Sequence, residues 1–426
     1  MGILNGNIPL NNLRFQDDKL PTDTSIEQKR TEETVLEKFV PYAPNNENKL
    51  SLDEIQLERK RHIAYLKRGL NGLGRWGSSL DASKPWLVYW IFHSLDLLEY
   101  KFDDALIART IATFKNWQLP TGGFGGGSDQ LAHLATTYAA VNALAIAGTK
   151  EAYDVLDRKT LYEFLISMKQ TDGSFTMHEG GEIDIRGSYC ALSVAALTNL
   201  LTPELTENCI EFIARSQTYE GGIGPYPGKE AHNGYTFCGL AAMEILDGFS
   251  KLDMDKLVRW CSERQMGLEG GFQGRTNKLV DGCYSFWGAG DFPLIQAHLN
   301  SDDYLFDREA LQEYILICCQ SDYGGLIDKP GKGADYYHTC YCLSGLSVAQ
   351  HQLQFHDKIV KEGGLRSLMW TCQNEYVIIG DVNNLLAAAH PVHNITLRAA
   401  RNIMHYFYAN QLQDIQIPLD DEPECQ

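Results

Sequence analysis

Five times along the chain a helical run ends in glutamine, a glycine turn follows, and a second run of small apolar residues begins. The glutamines are Gln118, Gln170, Gln217, Gln265 and Gln320. The turns are Gly122-Gly123-Phe124, Asp172-Gly173-Ser174-Phe175, Gly221-Gly222-Ile223, Gly270-Gly271-Phe272 and Gly324-Gly325-Leu326. A period of about 50 residues marks a repeated supersecondary unit, which only stacking can bury. Runs such as 159–170 are amphipathic, whereas 135–144 is apolar nearly all round and so belongs in a core. Units of this length also suit kelch propellers, but these are rich in Ala and Leu instead of alternating, which selects helices. A weaker unit, Trp86 to Leu98, precedes the five.

The fold expected is therefore all-α: about six helix pairs, one inner and one outer, closing into an α/α barrel (toroid) with a central cavity. Residues 1–50 are polar, carry Pro21, Pro41 and Pro44, and are expected to form an irregular arm. Residues 51–415 form the barrel, and 416–426 an acidic, disordered tail.

The formal net charge of -18 repels nucleic acid and anionic lipid, which removes both as main partners. No apolar run approaches the roughly 18 residues needed to span a membrane. The start lacks the basic and apolar regions of a secretory signal. Gly6 occupies the position where a myristoylation signal needs Ser or Thr. Many of the eleven cysteines sit in apolar runs such as Leu316-Ile317-Cys318-Cys319, as reduced core thiols of a cytoplasmic protein do.

Polar residues recur just before the buried runs: His133, Arg186, His232, Arg275 with Lys278, Asp281 with Cys283, and Asp335 with His338. A ring of repeats points them at one cavity. Asp281, Cys283 and His338 offer O, S and N, the donors of zinc, and three protein ligands leave the fourth position open for catalysis. Singly, Asp281 reads as a helix N-cap, Cys283 as a core thiol and His338 as a capping or core histidine. Matched repeat positions favour the metal, and the spacing alone leaves the two readings balanced. His232, Arg275, Lys278 and Lys332 concentrate positive charge in an acidic protein. One lysine alone is a solvated face; the group beside a zinc site suits a phosphate or diphosphate. Neither nucleotide-binding glycine loop is present. The aromatics Trp86, Trp90, Tyr189, Tyr235, Tyr284, Trp287 and Tyr337 are each ordinary core residues taken alone. Together they make a greasy wall suited to a hydrocarbon tail on that diphosphate.

Four segments are more specific: Gly271 through Trp287, Asp328 through Tyr341, Met177 through Arg186, and Glu230 through Leu240. They closely resemble the β subunits of protein farnesyltransferases, within the protein prenyltransferase β family, and the likeness runs from about residue 60 to 410. The resemblance implies a heterodimer with a helical α subunit. It implies transfer of farnesyl from farnesyl diphosphate to the cysteine of a C-terminal Cys-aliphatic-aliphatic-X (CaaX) box. It implies zinc on Asp281, Cys283 and His338, with Tyr284 and Lys278 joining them in catalysis. Diphosphate contacts fall to His232, Arg275, Lys278 and Tyr284. Arg186, Tyr189, Tyr235, Cys238 and Trp287 line the isoprenoid site, and Trp86, Trp90 and Tyr337 shape the peptide pocket. Asp328 is the implied magnesium residue.

A type I geranylgeranyltransferase β subunit is the nearest rival. Trp86, as a bulky pocket floor, and Asp328, where that relative has Lys, both favour farnesyl. A terpene cyclase needs an Asp-x-Asp-Asp or Asp-Asp-x-x-Asp motif, and Phe102-Asp103-Asp104-Ala105-Leu106-Ile107 fails at its last position. A catalytically silent scaffold would not need complete zinc and cation sets.

Overall fold

Six buried helical segments stand side by side around one axis: Lys84–Leu97, Leu134–Ala147, Ile185–Thr198, Asn233–Leu246, the broken pair Tyr284–Trp287 and Asp291–Leu299, and Tyr336–Gln350. Each packs on the next, and the sixth packs back on the first. Outside them run Arg59–Asn71, Asp104–Trp117, Arg158–Met168, Cys209–Arg215, Met254–Ser262, and Arg308–Glu313 continued by a π-helical turn at Tyr314–Cys318. The expected α/α toroid of six pairs is the fold observed in this computed structural model. It describes residues 2–409 except 7, 17–18, 44–45, 48, 300–303 and 357–365, with only the backbone of 75 and 76.

The repeated glycines and glutamines tie each pair to its neighbour. Gly122 has φ +84°, and a Cβ there would meet the Thr160 carbonyl oxygen of the next outer helix at 1.9 Å. Gly324, with φ +83°, makes the same approach to Arg61 of the first outer helix, at 2.3 Å, and so helps close the ring. Only glycine fits such a contact in the left-handed region. Gln265 spans the same joint: its Nε2 donates to the Asp307 carbonyl at 2.9 Å, and its Oε1 accepts from the Asp307 amide at 2.8 Å. Gln217 does likewise with Asp253.

The inner helices are buried because they have no polar side. Every residue of Leu134–Ala147 except Ala135 is buried. The segment 390–396 enters the ring of inner helices. Its Asn394, His393 and Val392 carbonyls accept from the hydroxyls of Tyr89 (2.6 Å), Tyr138 (2.9 Å) and Tyr189 (2.7 Å). The chain then forms the helix Leu397–Ala409, packed on the second and third inner helices.

Two features depart from the sequence reading. The arm expected to be irregular contains a 17-residue helix, Asp23–Phe39, started by a capping box between Thr22 and Ser25. Its buried face includes Gln28, Thr31 and Glu32, and Gln28 Nε2 donates to Glu269 Oε1 at 2.8 Å. A polar buried face gives no apolar stripe to read. Past the sixth inner helix, His351–Phe355 pairs antiparallel with Trp370–Tyr376 as a hairpin that the helical repeat did not foretell. The tail assigned to 416–426 lies outside the described residues. The ten described cysteines are all free, and all but Cys372 are buried. No helix among the described residues is long and apolar enough to cross a membrane.

Candidate metal and diphosphate site

The inner helices begin at one mouth, and polar residues collect there because each start needs a cap. His133, Asp184, His232 and Asp335 are N-caps whose side chains accept from backbone amides two or three residues on. Asp281 does the same in the fifth unit, where its Oδ1 accepts from the Cys283 amide at 2.8 Å. The repeat thus sets five polar side chains around one rim.

Asp281, Cys283 and His338 meet there, with their ligand atoms all within 4.8 Å of one another. His338 Nε2 is 3.2 Å from Asp281 Oδ1. Its other nitrogen, Nδ1, donates to Asp335 Oδ2 at 2.7 Å, while Asp335 Oδ1 accepts the His338 amide at 2.7 Å. Burial works against an imidazolium here, but the bonds to Asp281 and Asp335 outweigh it and lift His338 to about 10. Burial works equally against the Asp281 carboxylate, which the His338 and Cys283 bonds nevertheless hold below its ordinary range. The Cys283 thiol is pushed well up, by burial first and the Asp281 charge second. This set fits zinc. It supplies three donors of the right kinds, one nearby carboxylate orients the imidazole from behind, and a dication reverses the cost of a thiolate.

Tyr284 links this trio to His232. His232 Nδ1 accepts from the Gly234 amide at 3.0 Å, so Nε2 carries the proton and donates to Tyr284 Oη at 3.1 Å. Burial, then the Arg275 charge, holds His232 down to about 4 and hence neutral. The Tyr284 hydroxyl hydrogen is left free to point elsewhere. Arg275 is ion-paired with Glu230, and Lys278 is exposed. The Arg275 loop is held against the His232 cap: Asn233 donates from its amide to Gly274 O and from Nδ2 to Gln273 O, both at 2.8 Å. Tyr235 lies 5.5 Å from the His232 ring, and Arg186 lies 6.0 Å over Tyr235. Arg186 is also chelated by Asp184 at 2.9 and 2.6 Å. Asp328 is half-buried and bound to Lys329. Its carbonyl accepts from the Gly282 amide at 2.7 Å, between Asp281 and Cys283, and burial and then the Asp281 charge raise its carboxyl.

The aromatic residues close into a belt contributed by all six inner segments. Ring centroids run Trp86–Tyr138 5.7 Å, Tyr138–Tyr189 5.2 Å, Tyr189–Phe237 5.6 Å and Phe237–Trp287 5.4 Å. They continue Trp287–Tyr341 4.5 Å, Tyr341–Tyr337 4.8 Å, Tyr337–Trp90 5.5 Å and Trp90–Trp86 5.6 Å. Cys238, buried, follows Phe237 on the fourth inner helix. Sequence reasoning set Asp335 with His338 at the cavity without assigning it a task, and gave no role to Glu230, Tyr138, Phe237 or Tyr341. For three of these a signal existed: Tyr138, Phe237 and Tyr341 are aromatic residues that recur once per repeat.

Residues 57–395 match the family described as prenyltransferase alpha-alpha toroid domain. The chain is 39% identical over 414 residues to the protein farnesyltransferase subunit beta of Arabidopsis thaliana, covering 83% of each. It is 40% identical over 398 residues to that of Saccharomyces cerevisiae, covering 92% of this chain and 88% of the relative. With the geranylgeranyl transferase type-1 subunit beta of Arabidopsis thaliana the identity is 32% over 332 residues, 69% of this chain and 86% of the relative. Among solved structures, Candida albicans protein geranylgeranyltransferase-I complexed with GGPP matches with a TM-score of 0.66 at 22% identity. That match covers 83% of this chain and 99% of the other, and is a likeness of fold.

Proposed function

Because the chain belongs to the prenyltransferase α-α toroid family and, within it, to the protein farnesyltransferase β subunits, we propose that it moves farnesyl from farnesyl diphosphate to a CaaX-box cysteine, paired with an α subunit. The observation that carries the reading is one juxtaposition: the O, S, N trio of Asp281, Cys283 and His338 adjoins the His232–Tyr284 pair through the peptide bond between Cys283 and Tyr284.

Asp281, Cys283 and His338 would hold zinc, whose chemistry when bound is to lower the pKa of a substrate thiol that is otherwise about 8.5. Asp335 keeps the proton of His338 on Nδ1, so that Nε2 faces the trio. As sulfur bonds to C1 of the lipid, the C1–O bond breaks and negative charge grows on the diphosphate. Neutral His232 donates to Tyr284 Oη, which turns the tyrosine O–H outward as a donor to that charge. Arg275 and Lys278 bring cationic donors, Arg275 by exchanging Glu230 for phosphate oxygens. Asp328 is the carboxylate that would share magnesium with the diphosphate, since magnesium binds through one or two carboxylates plus phosphate oxygens. The aromatic belt packs the hydrocarbon tail and keeps water from the reacting carbon.

The test is to co-purify the chain with its α subunit, supply zinc, and offer labelled farnesyl or geranylgeranyl diphosphate to a CaaX peptide. Farnesyl transfer that stops on chelation is expected, with no turnover by the isolated chain. Transfer of neither lipid by the zinc-loaded heterodimer would refute the reading.

A further inference from the structure

A cavity of about 190 Å³ sits at the end of the barrel away from the inner-helix starts. It lies between Ala297 of the fifth inner segment, Val348 near the end of the sixth, and Gln352 and Gln354 of the hairpin. Arg308 forms part of its wall.

Arg308 is only 5% exposed. Its Nε donates to the Ala349 carbonyl at 2.7 Å, and its guanidinium lies 4.4 Å over the Tyr304 ring. Neither Nη1 nor Nη2 has a hydrogen-bond partner among the described residues. The other buried arginines differ. Arg158 Nη1 donates to the Thr198 and Phe407 carbonyls, and Arg264 Nη1 donates to Thr276 Oγ1 at 2.6 Å. Proteins pair the charges they bury, because an unpaired one costs far more than an unpaired amide. Nor do the described residues supply the missing charge: none of those lining the cavity is Asp or Glu. Its lining also includes the amides of Gln352 and Gln373, the His351 and Tyr304 rings, and apolar surface from Ala297, Val348 and Leu353.

We propose that this cavity binds a small amphiphilic oxyanion, its carboxylate or phosphate head on the Arg308 Nη pair and its apolar body along Ala297, Val348 and Leu353. A guanidinium presents two parallel N–H donors that match either head. The Tyr304 ring, 49% exposed, covers the guanidinium, so the head reaches the Nη pair by displacing that ring. The volume admits an anionic head with a short chain.

The test uses the zinc-loaded heterodimer and three probes: hexanoate, hexyl phosphate and hexanol. The first two distinguish the head groups, and the third has a similar chain without charge. Saturable binding of at least one anion is expected, at least tenfold tighter than hexanol. Arg308→Met removes the fork, and Ala297→Phe fills the cavity while leaving Arg308 and its bond to Ala349 in place. Each is expected to weaken anion binding tenfold or more without changing lipid transfer. Absence of saturable anion binding to the parent complex, or binding undiminished in either variant, overturns the proposal.

Discussion

His338 is gripped from behind by Asp335, whose two carboxylate oxygens take the His338 ring Nδ1–H and backbone amide, both at 2.7 Å. One carboxylate therefore caps the sixth inner helix and fixes the tautomer of the imidazole proposed to hold zinc. Asp335→Asn keeps a capping side chain but loses the charge. Partners of this kind are worth about 10- to 100-fold in metal affinity. The variant is expected to weaken zinc retention by that factor in chelator competition while remaining folded, and His338→Ala to lose the metal altogether. Unchanged zinc affinity in Asp335→Asn would show that the carboxylate serves the helix alone.

Gly274 sets the distance between Tyr284 and the Arg275 loop. A Cβ at 274 would meet Tyr284 Cζ at 2.3 Å and Oη at 2.4 Å. Gly274→Ala must therefore move the phenol away from His232. Loss of a single donor to developing negative charge costs about 10²- to 10³-fold in turnover; a displaced donor should cost at least tenfold. The expected result is a fall in kcat with zinc content and lipid binding retained. Full activity would remove Tyr284 from the leaving-group side.

Much of this architecture is legible in the sequence because one joint is built repeatedly from the same parts. The glycine that must touch Thr160 in one unit must touch Arg61 in another, and the glutamine that spans to Asp253 recurs to span to Asp307. The metal trio is legible for the same reason, as each member lies at or within three residues of a cap. What escaped is what the repeat does not repeat. Asp23–Phe39 buries Gln28 and Glu32 against Glu269, so no apolar period announces it. In the fifth unit Trp287 takes the belt place that Tyr138, Tyr189, Phe237 and Tyr341 take in theirs. Here the inner helix breaks between Trp287 and Asp291, and Tyr284 turns toward His232 instead.

The buried His390 is expected to give the barrel a pH dependence of its own. Its Nε2 donates to the Ser367 carbonyl at 2.7 Å and its Nδ1 accepts from the Val392 amide at 3.1 Å. Protonating Nδ1 would set two donors face to face. Burial holds the imidazole down to about 4, against about 6.5 in an unfolded chain. As pH falls from about 6.5 to about 4 the unfolded chain takes up the proton and the folded one does not, so stability is lost across that window. The ceiling is about 3 kcal/mol. Glutamine can donate to Ser367 and accept from Val392 without titrating. Acid unfolding followed by tryptophan fluorescence should therefore have a lower midpoint in His390→Gln than in the parent. Identical midpoints would mean that the imidazole is protonated in the folded state.

Trp86 joins the two ends of the aromatic belt on the first inner helix, with its ring 5.6 Å from Trp90, 5.7 Å from Tyr138 and 5.9 Å from Tyr89. If the lipid tail runs along this belt, the indole stands where a fourth isoprene unit would go. Trp86→Thr opens roughly the volume of an aromatic ring. Burying five more carbons at about 0.8 kcal/mol each sets a ceiling near 4 kcal/mol, before any loss from poor fit. Apolar pockets that discriminate by added area realise about 1–3 kcal/mol, and a relieved clash yields more. The ratio of kcat/KM for geranylgeranyl over farnesyl diphosphate should therefore rise about tenfold or more in the variant heterodimer. An unchanged ratio would make Trp86 ordinary packing for Tyr138 and Tyr89, and leave Asp328 as the single residue favouring farnesyl.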